Sequence, residues 1–250
     1  MTPTSSPILS FFYSLPMIIE FRNVTISRGG VSALEDVSWT FDSEKTPSVA
    51  LLGANGAGKS TFLEAILGLR PLTSGQILVD EMPVGKGHLT QIRRRVGLVF
   101  QNSDDQLFSQ TVREDVSFGP THMELDAEEV KRRVDEALEK MGIVTLAERS
   151  VSTLSGGEKR RAALAGVLAM HPEAVLLDEP TSMLDPRGCR ELAEYLNTLE
   201  MMKLVATHDL LFAARVCPFC LILKDGRIHA SGPTEELLKD ETLLMECGLA

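Results

Sequence analysis

The chain has 250 residues and a mass of 27.3 kDa, enough to bury a full core in one large domain or two lobes. Its formal net charge of −10, from 25 basic and 35 acidic residues, argues against a nucleic-acid partner and against docking to anionic lipid by charge alone. Four cysteines are few for a disulfide scaffold and favour a reducing cytosol. No apolar run reaches the ~18 residues that span a bilayer, so work at a membrane would require other chains as anchors.

Residues 1–16 differ from the sequence that follows. The stretch 8–15 is apolar, but no basic residue precedes it and it ends at Pro16, which makes it a poor signal peptide. We expect 1–16 to form a loosely ordered extension and leave open whether translation begins at Met17. A first strand is predicted from Met17, and apolar and polar residues then alternate over 37–41 as in a strand with one buried face.

Residues 49–61, VALLGANGAGKST, fit the phosphate-loop pattern G-x-x-x-x-G-K-[ST] between an apolar strand and a predicted helix over 60–69. The glycines allow main-chain N–H groups to approach an anion, and the helix directs its positive end toward it. We expect Lys59 to reach the β and γ phosphates and the Ser60 hydroxyl to bind Mg²⁺. A glycine-rich turn that binds nothing is the alternative. The candidate phosphate-binding residues are Gly53, Ala54, Asn55, Gly56, Ala57, Gly58, Lys59, Ser60 and Thr61.

The middle of the chain changes from strands to helices. With short strands predicted at 76–80 and 96–100, the first hundred residues are interpreted as an antiparallel β lobe around the phosphate loop. Helical periodicity dominates between about 102 and 172, where a predicted capping box, Asp126 with Glu129, precedes one apolar helix face. The later apolar runs at 175–178, 204–207 and 221–223, with helices between them, predict a parallel sheet covered on both sides.

The predicted strand AVLLDE at 174–179 ends in two acidic residues. In a nucleotide hydrolase, Asp178 would hold Mg²⁺, directly or through water, and Glu179 would polarise the attacking water. An acidic pair at a strand end without function is the alternative. Gln101 and His208 each follow a predicted strand, where the strand ends of an α/β sheet converge beside ligand-binding loops.

The sequence LSGGE at 154–158 precedes another helix. Ser155 and Glu158 have the spacing of a capping box, which would explain them structurally. The adjacent Gly156 and Gly157 are costly at a helix start unless something approaches the main chain closely, and a phosphate group would do so.

Six stretches of the chain resemble, in their order, the motifs of the ATP-binding cassette (ABC) ATPases. They are GANGAGKST, the glutamine in VFQNSDDQLF, LSGGE, VLLDE, SMLD and the histidine in ATHD. The resemblance covers about 17–250 and implies an α/β fold: an ABC-type P-loop NTPase domain with a RecA-like core, an antiparallel β lobe and a helical subdomain over about 102–172.

The resemblance also implies a head-to-tail dimer with ATP and Mg²⁺ between the subunits. Ser60, Gln101 and Asp178 would then serve Mg²⁺, Glu179 would act as the base, and His208 would contact the γ-phosphate. Ser155, Gly156 and Gly157 would reach the partner's nucleotide, and Asp185 would couple the two sites. The family usually stacks an aromatic residue on adenine; this chain has Ser27 and Arg28 there, and the Arg28 guanidinium is the predicted substitute.

Residues 101–120 and 154–186 are similar to the energising subunits of energy-coupling factor importers, especially the cobalt and nickel branch. This implies a second ABC ATPase subunit, favoured as an identical copy, with a transmembrane coupling protein and a substrate-binding membrane protein. It also implies a peripheral position on the cytoplasmic face of the cell membrane. A vitamin-type importer, a soluble ABC ATPase without transport and a regulator without turnover are the alternatives.

Three further features have structural explanations. The basic clusters 93–95 and 159–161 are interpreted as solvated faces, with contacts to a partner or a nucleotide phosphate as the alternative. Cys217 and Cys220 have C-x-x-C spacing without a second pair, which favours packing over metal binding.

Overall fold

The computed structural model describes residues 16–250, except the side chain of Arg28. The predicted extension 1–16 therefore lies outside the described residues apart from Pro16, and so does the stacking predicted for the Arg28 side chain. The strands are β1 (Ile18–Arg28), β2 (Val31–Asp42), β3 (Ser48–Leu52), β4 (Ser74–Val79), β5 (Met82–Pro83), β6 (Val96–Val99), β7 (Ala174–Asp178), β8 (Met202–Thr207), β9 (Phe219–Lys224) and β10 (Arg227–Pro233). The α-helices are α1 (Lys59–Ile66), α2 (Leu89–Arg95), α3 (Val112–Thr121), α4 (Ala127–Lys140), α5 (Gly156–Leu168), α6 (Pro186–Thr198), α7 (Leu210–Val216), α8 (Thr234–Leu237) and α9 (Glu241–Glu246).

An antiparallel sheet with the strand order β2-β1-β4-β5 forms one layer. It packs on the phosphate-loop helix through aromatic rings: Phe62 of α1 stacks on Phe21 of β1 with ring centroids 4.2 Å apart, and it meets Phe41 of β2 edge-on at 5.8 Å. Because all three side chains are almost fully buried, this sheet holds α1 and the loop that precedes it in place.

The second sheet has the order β10-β9-β3-β8-β7-β6, and all its strands are parallel except β10. One prediction was wrong here: the strand at 96–100 belongs to this sheet rather than to the antiparallel lobe, since β6 pairs with β7 from Val96 opposite Ala174 to Val99 opposite Leu177. All four residues of β6 are buried, as expected for a strand covered on both faces. The phosphate-loop strand β3 lies at the centre of the same sheet.

The core lies on both faces of the parallel sheet. Along β3, Ala50 and Leu52 face a cluster formed with α3 to α7, whereas Val49 and Leu51 face a cluster formed with α1 and the antiparallel sheet. This alternation follows from the two-residue period of a strand. The parallel sheet is therefore fixed from both sides, and its strand ends are firmly positioned.

Helical elements fill the part of the chain between β6 and β7. The face of α4 predicted to be apolar is the buried one, with Val134 and Leu138 almost inaccessible to solvent. Asp126 accepts a hydrogen bond from Glu129 N at 2.8 Å, but the Glu129 carboxylate pairs with Arg132 and Arg133 instead of completing a capping box. Within residues 16–250, none of the helices combines the length and the apolar character that crossing a bilayer requires.

The four cysteines are free thiols, and they differ in exposure. Cys217, Cys220 and Cys247 are buried, while Cys189 near the start of α6 is half-buried. Burial raises the pKa of Cys217 to about 12, which keeps that thiol protonated at neutral pH. Both cysteines of the C-x-x-C pair are thus part of the apolar core around α7 and β9.

Candidate active site

The phosphate loop connects β3 to α1 at the carboxyl edge of the parallel sheet. Gly58 has a φ of 107°, and a Cβ at that position would lie 2.5 Å from Ala33 O, so only glycine fits without strain. Gly58 also occupies the N-cap position of α1 and offers no side-chain acceptor to the first N–H groups of the helix. These N–H groups, with the helix dipole, favour an anion at the loop.

The buried Lys59 side chain lies across this loop. Its Nζ donates to Gly53 O at 2.8 Å and to Ala54 O at 3.2 Å, and it lies 3.4 Å from Glu179 Oε1. With 6% exposure for Lys59 and 5% for Glu179, this ion pair is sheltered from solvent. The structure thus brings together the candidate phosphate-binding lysine and the candidate base.

The other oxygen of the Glu179 carboxylate is held by the end of β8. Glu179 Oε2 accepts a hydrogen bond from Thr207 Oγ1 at 3.1 Å and lies 3.0 Å from His208 Nδ1. Glu179 itself has a φ of 44°, the left-handed region that a non-glycine residue seldom adopts, and its N–H donates to Ala206 O at 2.8 Å. Backbone and side chain are therefore both fixed. Thr207 was not predicted as a site residue, and its position directly before His208 was the available signal.

Asp178 ends β7 beside the same site and is 6% exposed. Its Oδ1 atom is buried and finds no hydrogen-bond partner among the described residues. Burial raises the pKa of Asp178, and a hydrogen bond with the Ser60 side chain opposes this effect. A buried carboxylate oxygen without a partner, next to a hydroxyl, is a suitable ligand set for a cation.

No cluster of three or more His, Cys, Asp or Glu side chains among residues 16–250 could hold a metal ion by itself. Mg²⁺ does not require one, because it is usually bound through one or two carboxylates together with substrate phosphates and water. The Asp178 and Ser60 oxygens therefore fit Mg²⁺ in the presence of a nucleotide. Gln101 follows β6 and its side chain is exposed.

The basic cluster 159–161 was predicted to be a solvated face, and this prediction is wrong for its central residue. Arg160 is 3% exposed, and its guanidinium donates to main-chain oxygens at the ends of β6 and β7. In the other cluster, Arg95 is half-buried and pairs with Asp80 and Glu173, each at 2.5 Å. The interpretation is wrong for Arg160 and Arg95, because their guanidinium groups bind internal acceptors rather than water, whereas Arg93 is exposed.

The LSGGE segment forms the start of α5 and makes a complete capping box. Ser155 N donates to Glu158 Oε2 at 2.7 Å, and Glu158 N donates to Ser155 Oγ at 3.3 Å. A Cβ on Gly156 would lie 3.1 Å from Met183 Cβ, and one on Gly157 would lie 3.6 Å from Leu184 Cδ2. The described contacts of Ser155, Gly156 and Gly157 are thus with their own helix and the 183–184 turn, and their hydrogen bonds do not reach Lys59 or Glu179.

Asp185 is exposed at the start of α6. Its Oδ1 accepts from Gly188 N at 2.6 Å, so it caps this helix, which Pro186 opens. The preceding Met183 is 82% exposed and lies beside Gly156. The LSGGE segment and Asp185 therefore border one surface of the molecule.

The chain matches the family model described as "ABC transporter" over residues 34–182. An energy-coupling factor transporter ATP-binding protein, EcfA, from Methanoculleus marisnigri is 43% identical over 237 residues, which cover 93% of this chain and 85% of that protein.

Two solved structures have the same fold. CbiO1 from Clostridium perfringens, described as part of the ABC transporter complex CbiONQ, superposes with a TM-score of 0.79 at 34% identity, covering 92% of this chain and 94% of that one. The dimeric bacterial ABC transporter cassette MJ0796 also gives a TM-score of 0.79, at 29% identity, covering 86% of this chain and 98% of that one.

The family match spans the phosphate loop, LSGGE and the Asp178–Glu179 pair, and the geometry places the loop lysine, the acidic pair and His208 at one edge of the parallel sheet. This chain belongs to the ABC transporter family and is an ATP-hydrolysing subunit with the ABC cassette fold.

Proposed function

We propose that this chain is the ATP-hydrolysing motor subunit of an energy-coupling factor importer for cobalt or nickel ions. The observation that supports the chemistry best is the Glu179 carboxylate, held between Lys59 on one side and Thr207 with His208 on the other. The support for the importer is the likeness to EcfA along nearly the whole chain and to CbiO1 of the CbiONQ complex.

In the proposed reaction, the main-chain N–H groups of residues 53–61 and Lys59 Nζ bind the phosphates of ATP. A water oxygen attacks the γ-phosphorus and the bond to the β–γ bridging oxygen breaks, which yields ADP and phosphate. Glu179 accepts the proton from the water, while Thr207 and His208 keep the carboxylate oriented. His208 also contacts the γ-phosphate once ATP is bound.

Ser60, Asp178 and Gln101 would hold Mg²⁺, which neutralises charge on the phosphates when it is bound. The unpaired Asp178 Oδ1 is the observation that favours this assignment.

A second copy of the chain completes each nucleotide site in this proposal. Ser155, Gly156 and Gly157 contact the nucleotide held by the opposite copy, and Asp185 connects the two sites. Their position on one surface with the exposed Met183 supports this arrangement, and MJ0796 is a dimeric cassette with the same fold. ATP closes the dimer, and hydrolysis allows it to open.

The proposed partners are a transmembrane coupling protein and a small substrate-binding membrane protein, which hold this subunit on the cytoplasmic face of the membrane. The metal ion is cargo and passes through those proteins, whereas this subunit supplies the force. In this proposal Cys217 and Cys220 play no part in metal transport, because both are buried in the core.

The first experiment is to purify the tagged chain from gently solubilised membranes and identify the proteins that accompany it. Cellular uptake of radioactive cobalt and nickel is then compared between the wild type and Glu179→Gln. We expect both membrane partners in the complex and loss of metal uptake in the variant. If Glu179→Gln leaves metal uptake unchanged but abolishes vitamin uptake, the cargo is a vitamin and not a metal ion. If the tagged chain is isolated without membrane partners, the proposed importer function is wrong.

A further inference from the structure

Arg160 uses all of its hydrogen-bonding capacity inside the protein. A guanidinium group has five N–H donors, and each of them has an acceptor here. Nε donates to Pro180 O at 3.1 Å. Nη1 donates to Phe100 O and to Gln101 O, the latter at 3.3 Å. Nη2 donates to Asp178 O at 2.7 Å and to Glu179 O. Every partner is a main-chain oxygen.

These oxygens belong to the two segments that carry the proposed chemistry. Phe100 and Gln101 follow β6, and residues 178–180 end and follow β7, the neighbouring strand of the parallel sheet. Arg160 therefore joins the segment of a proposed Mg²⁺ ligand to the segment of the proposed base.

The bond to Glu179 O has a particular consequence. A non-glycine residue with a φ of 44° keeps that conformation only where its surroundings hold it. Ala206 O binds the N–H of Glu179, and Arg160 binds its carbonyl oxygen, so the main chain is held on both sides of the residue. This orientation directs the carboxylate toward Lys59, Thr207 and His208.

The site of Arg160 is also nearly dry. Arg160 is 3% exposed, and burial lowers its pKa to about 10, an effect that the Asp178 and Glu179 carboxylates oppose. The group remains charged at neutral pH. A buried charge is costly unless it is fully hydrogen-bonded. The buried guanidinium therefore requires all five main-chain oxygens to be in place together. Lysine could not replace it, because an ammonium group presents three donors from one atom rather than a planar fork.

We propose that Arg160 is a positioning residue for ATP hydrolysis, which aligns the Glu179 carboxylate and Gln101 by binding the main chain on both sides of the site. Arg160 lies on α5, the helix that begins with Gly156 and Gly157, so the same side chain also ties the LSGGE helix to the two strand ends. The inference rests on the roles proposed above for Glu179 and Gln101.

The test compares Arg160→Ala, Arg160→Lys and wild type in single-turnover ATP hydrolysis, with ATP-binding stoichiometry and affinity measured separately without Mg²⁺. Misplacement of reacting groups by about 1 Å can cost ~100-fold in rate. We expect both variants to lose about tenfold to a hundredfold in hydrolysis rate. ATP binding without Mg²⁺ should stay within about twofold, because the hydrogen bonds of Arg160 go to residues 100–101 and 178–180 and not to the phosphate loop. Addition of ethylguanidinium should restore hydrolysis to Arg160→Ala, whereas ethylammonium should not.

The matched control is Arg133→Gln. Arg133 is also partly buried and donates to a main-chain oxygen, Met170 O at 3.2 Å, but lies on α4 away from the strand ends. It should lose stability without loss of hydrolysis rate per ATP-binding molecule. A rate loss in the Arg160 variants no larger than their loss of binding stoichiometry, or an equal loss in Arg133→Gln, would overturn the proposal.

Glu179→Gln is measured in the same series to separate the two claims. If Glu179→Gln loses hydrolysis and the Arg160 variants do not, the positioning role is wrong and the proposed base stands. If Glu179→Gln retains hydrolysis, the proposed base is wrong whatever the Arg160 variants do.

Discussion

At the scale of single residues, the site depends on Glu179, whose carboxylate is contacted from the start of α1 and from the end of β8. Lys59 approaches one oxygen, and Thr207 with His208 approaches the other. Left-handed conformations of non-glycine residues cost about 1–3 kcal/mol, so other contacts must offset the φ of 44° at Glu179. The sequence predicted Glu179 because an acidic pair follows an apolar strand, but the conformation that aims its side chain depends on distant residues.

Glu179→Gln should lower the rate of ATP hydrolysis by about 10²–10⁴-fold, because an amide cannot accept the proton that a general base removes. ATP affinity should change little, since the phosphate loop is intact. Phosphate release and equilibrium ATP binding are the measurements. Lys59→Ala is the contrasting variant and should weaken ATP binding itself; hydrolysis by Glu179→Gln at the wild-type rate would contradict the role of the base.

Asp178→Asn should make the protein more stable while impairing Mg²⁺-dependent hydrolysis. Since burial raises the pKa of Asp178, the folded state holds the proton more tightly than the unfolded state, and the ionised carboxylate destabilises the fold at neutral pH. The gain should be full at pH 7, shrink as the pH falls through the raised pKa of the folded protein, and vanish below about 4, where aspartate is protonated in both states. Thermal unfolding at both pH values measures it.

The control for this prediction is Asp126→Asn at the N-cap of α4, where asparagine caps as well as aspartate. It should leave the melting temperature unchanged. A melting temperature of Asp178→Asn below that of the wild type at pH 7 would show that the ionised carboxylate stabilises the fold.

Arg160 shows which site residues could not be predicted from the sequence. Arg160 lies four residues before Leu164 and eight before Leu168, so helical spacing places it on the buried face of α5. That signal was present, but an arginine beside Lys159 and Arg161 is more often solvated. The acceptors that make its burial favourable come from residues about 60 and 20 positions away, and no local pattern reveals such partners.

At the scale of elements, strand positions were predicted better than strand partners. Apolar runs marked β3, β6, β7, β8 and β9, since each is buried or largely buried along its length. The prediction of the sheet to which β6 belongs was wrong, because the sequence of a short apolar strand does not indicate which strand it pairs with. β6 pairs with β7, which lies more than 70 residues later in the chain.

Close packing between β6 and α5 gives a prediction at this scale. A Cβ on Gly97 would lie 2.3 Å from Val167 Cγ1, so Gly97→Ala should force the helix and strand apart and lower the free energy of unfolding by about 1–3 kcal/mol. Gly85→Ala is the matched control, because a Cβ there would meet no atom within 4 Å. Urea unfolding of both variants is the measurement, and equal stabilities would contradict the packing argument.

At the scale of the whole molecule, the candidate site residues lie together at the carboxyl edge of the parallel sheet. The phosphate loop follows β3, Gln101 follows β6, Glu179 follows β7 and His208 follows β8. Parallel strands bring their carboxyl ends to one edge, which is why residues scattered over about 150 positions were predicted to lie together. The sequence could not locate the LSGGE helix relative to that edge, since its position depends on packing between α5 and its neighbours.

With ATP, Glu179→Gln should form a dimer of twice the 27.3 kDa chain mass, as measured by light scattering after gel filtration. Ser155→Asp in the same background should remain monomeric, because aspartate keeps the helix cap but repels the partner's phosphates. Thr111→Asp makes the matching change in the other complete capping box, at α3, and should still dimerise. Dimer formation by the Ser155→Asp protein would argue against contact across the interface.

The unequal burial of the four thiols has a practical consequence. Cys189 is only partly covered and lies near the turn that holds Met183 and Asp185, whereas the other three thiols are enclosed by the core. A maleimide probe under native conditions should therefore attach at one place per molecule without prior cysteine removal. In the proposed dimer, spin-label or fluorescence distances between two such probes would report the opening and closing that ATP binding and hydrolysis are proposed to drive.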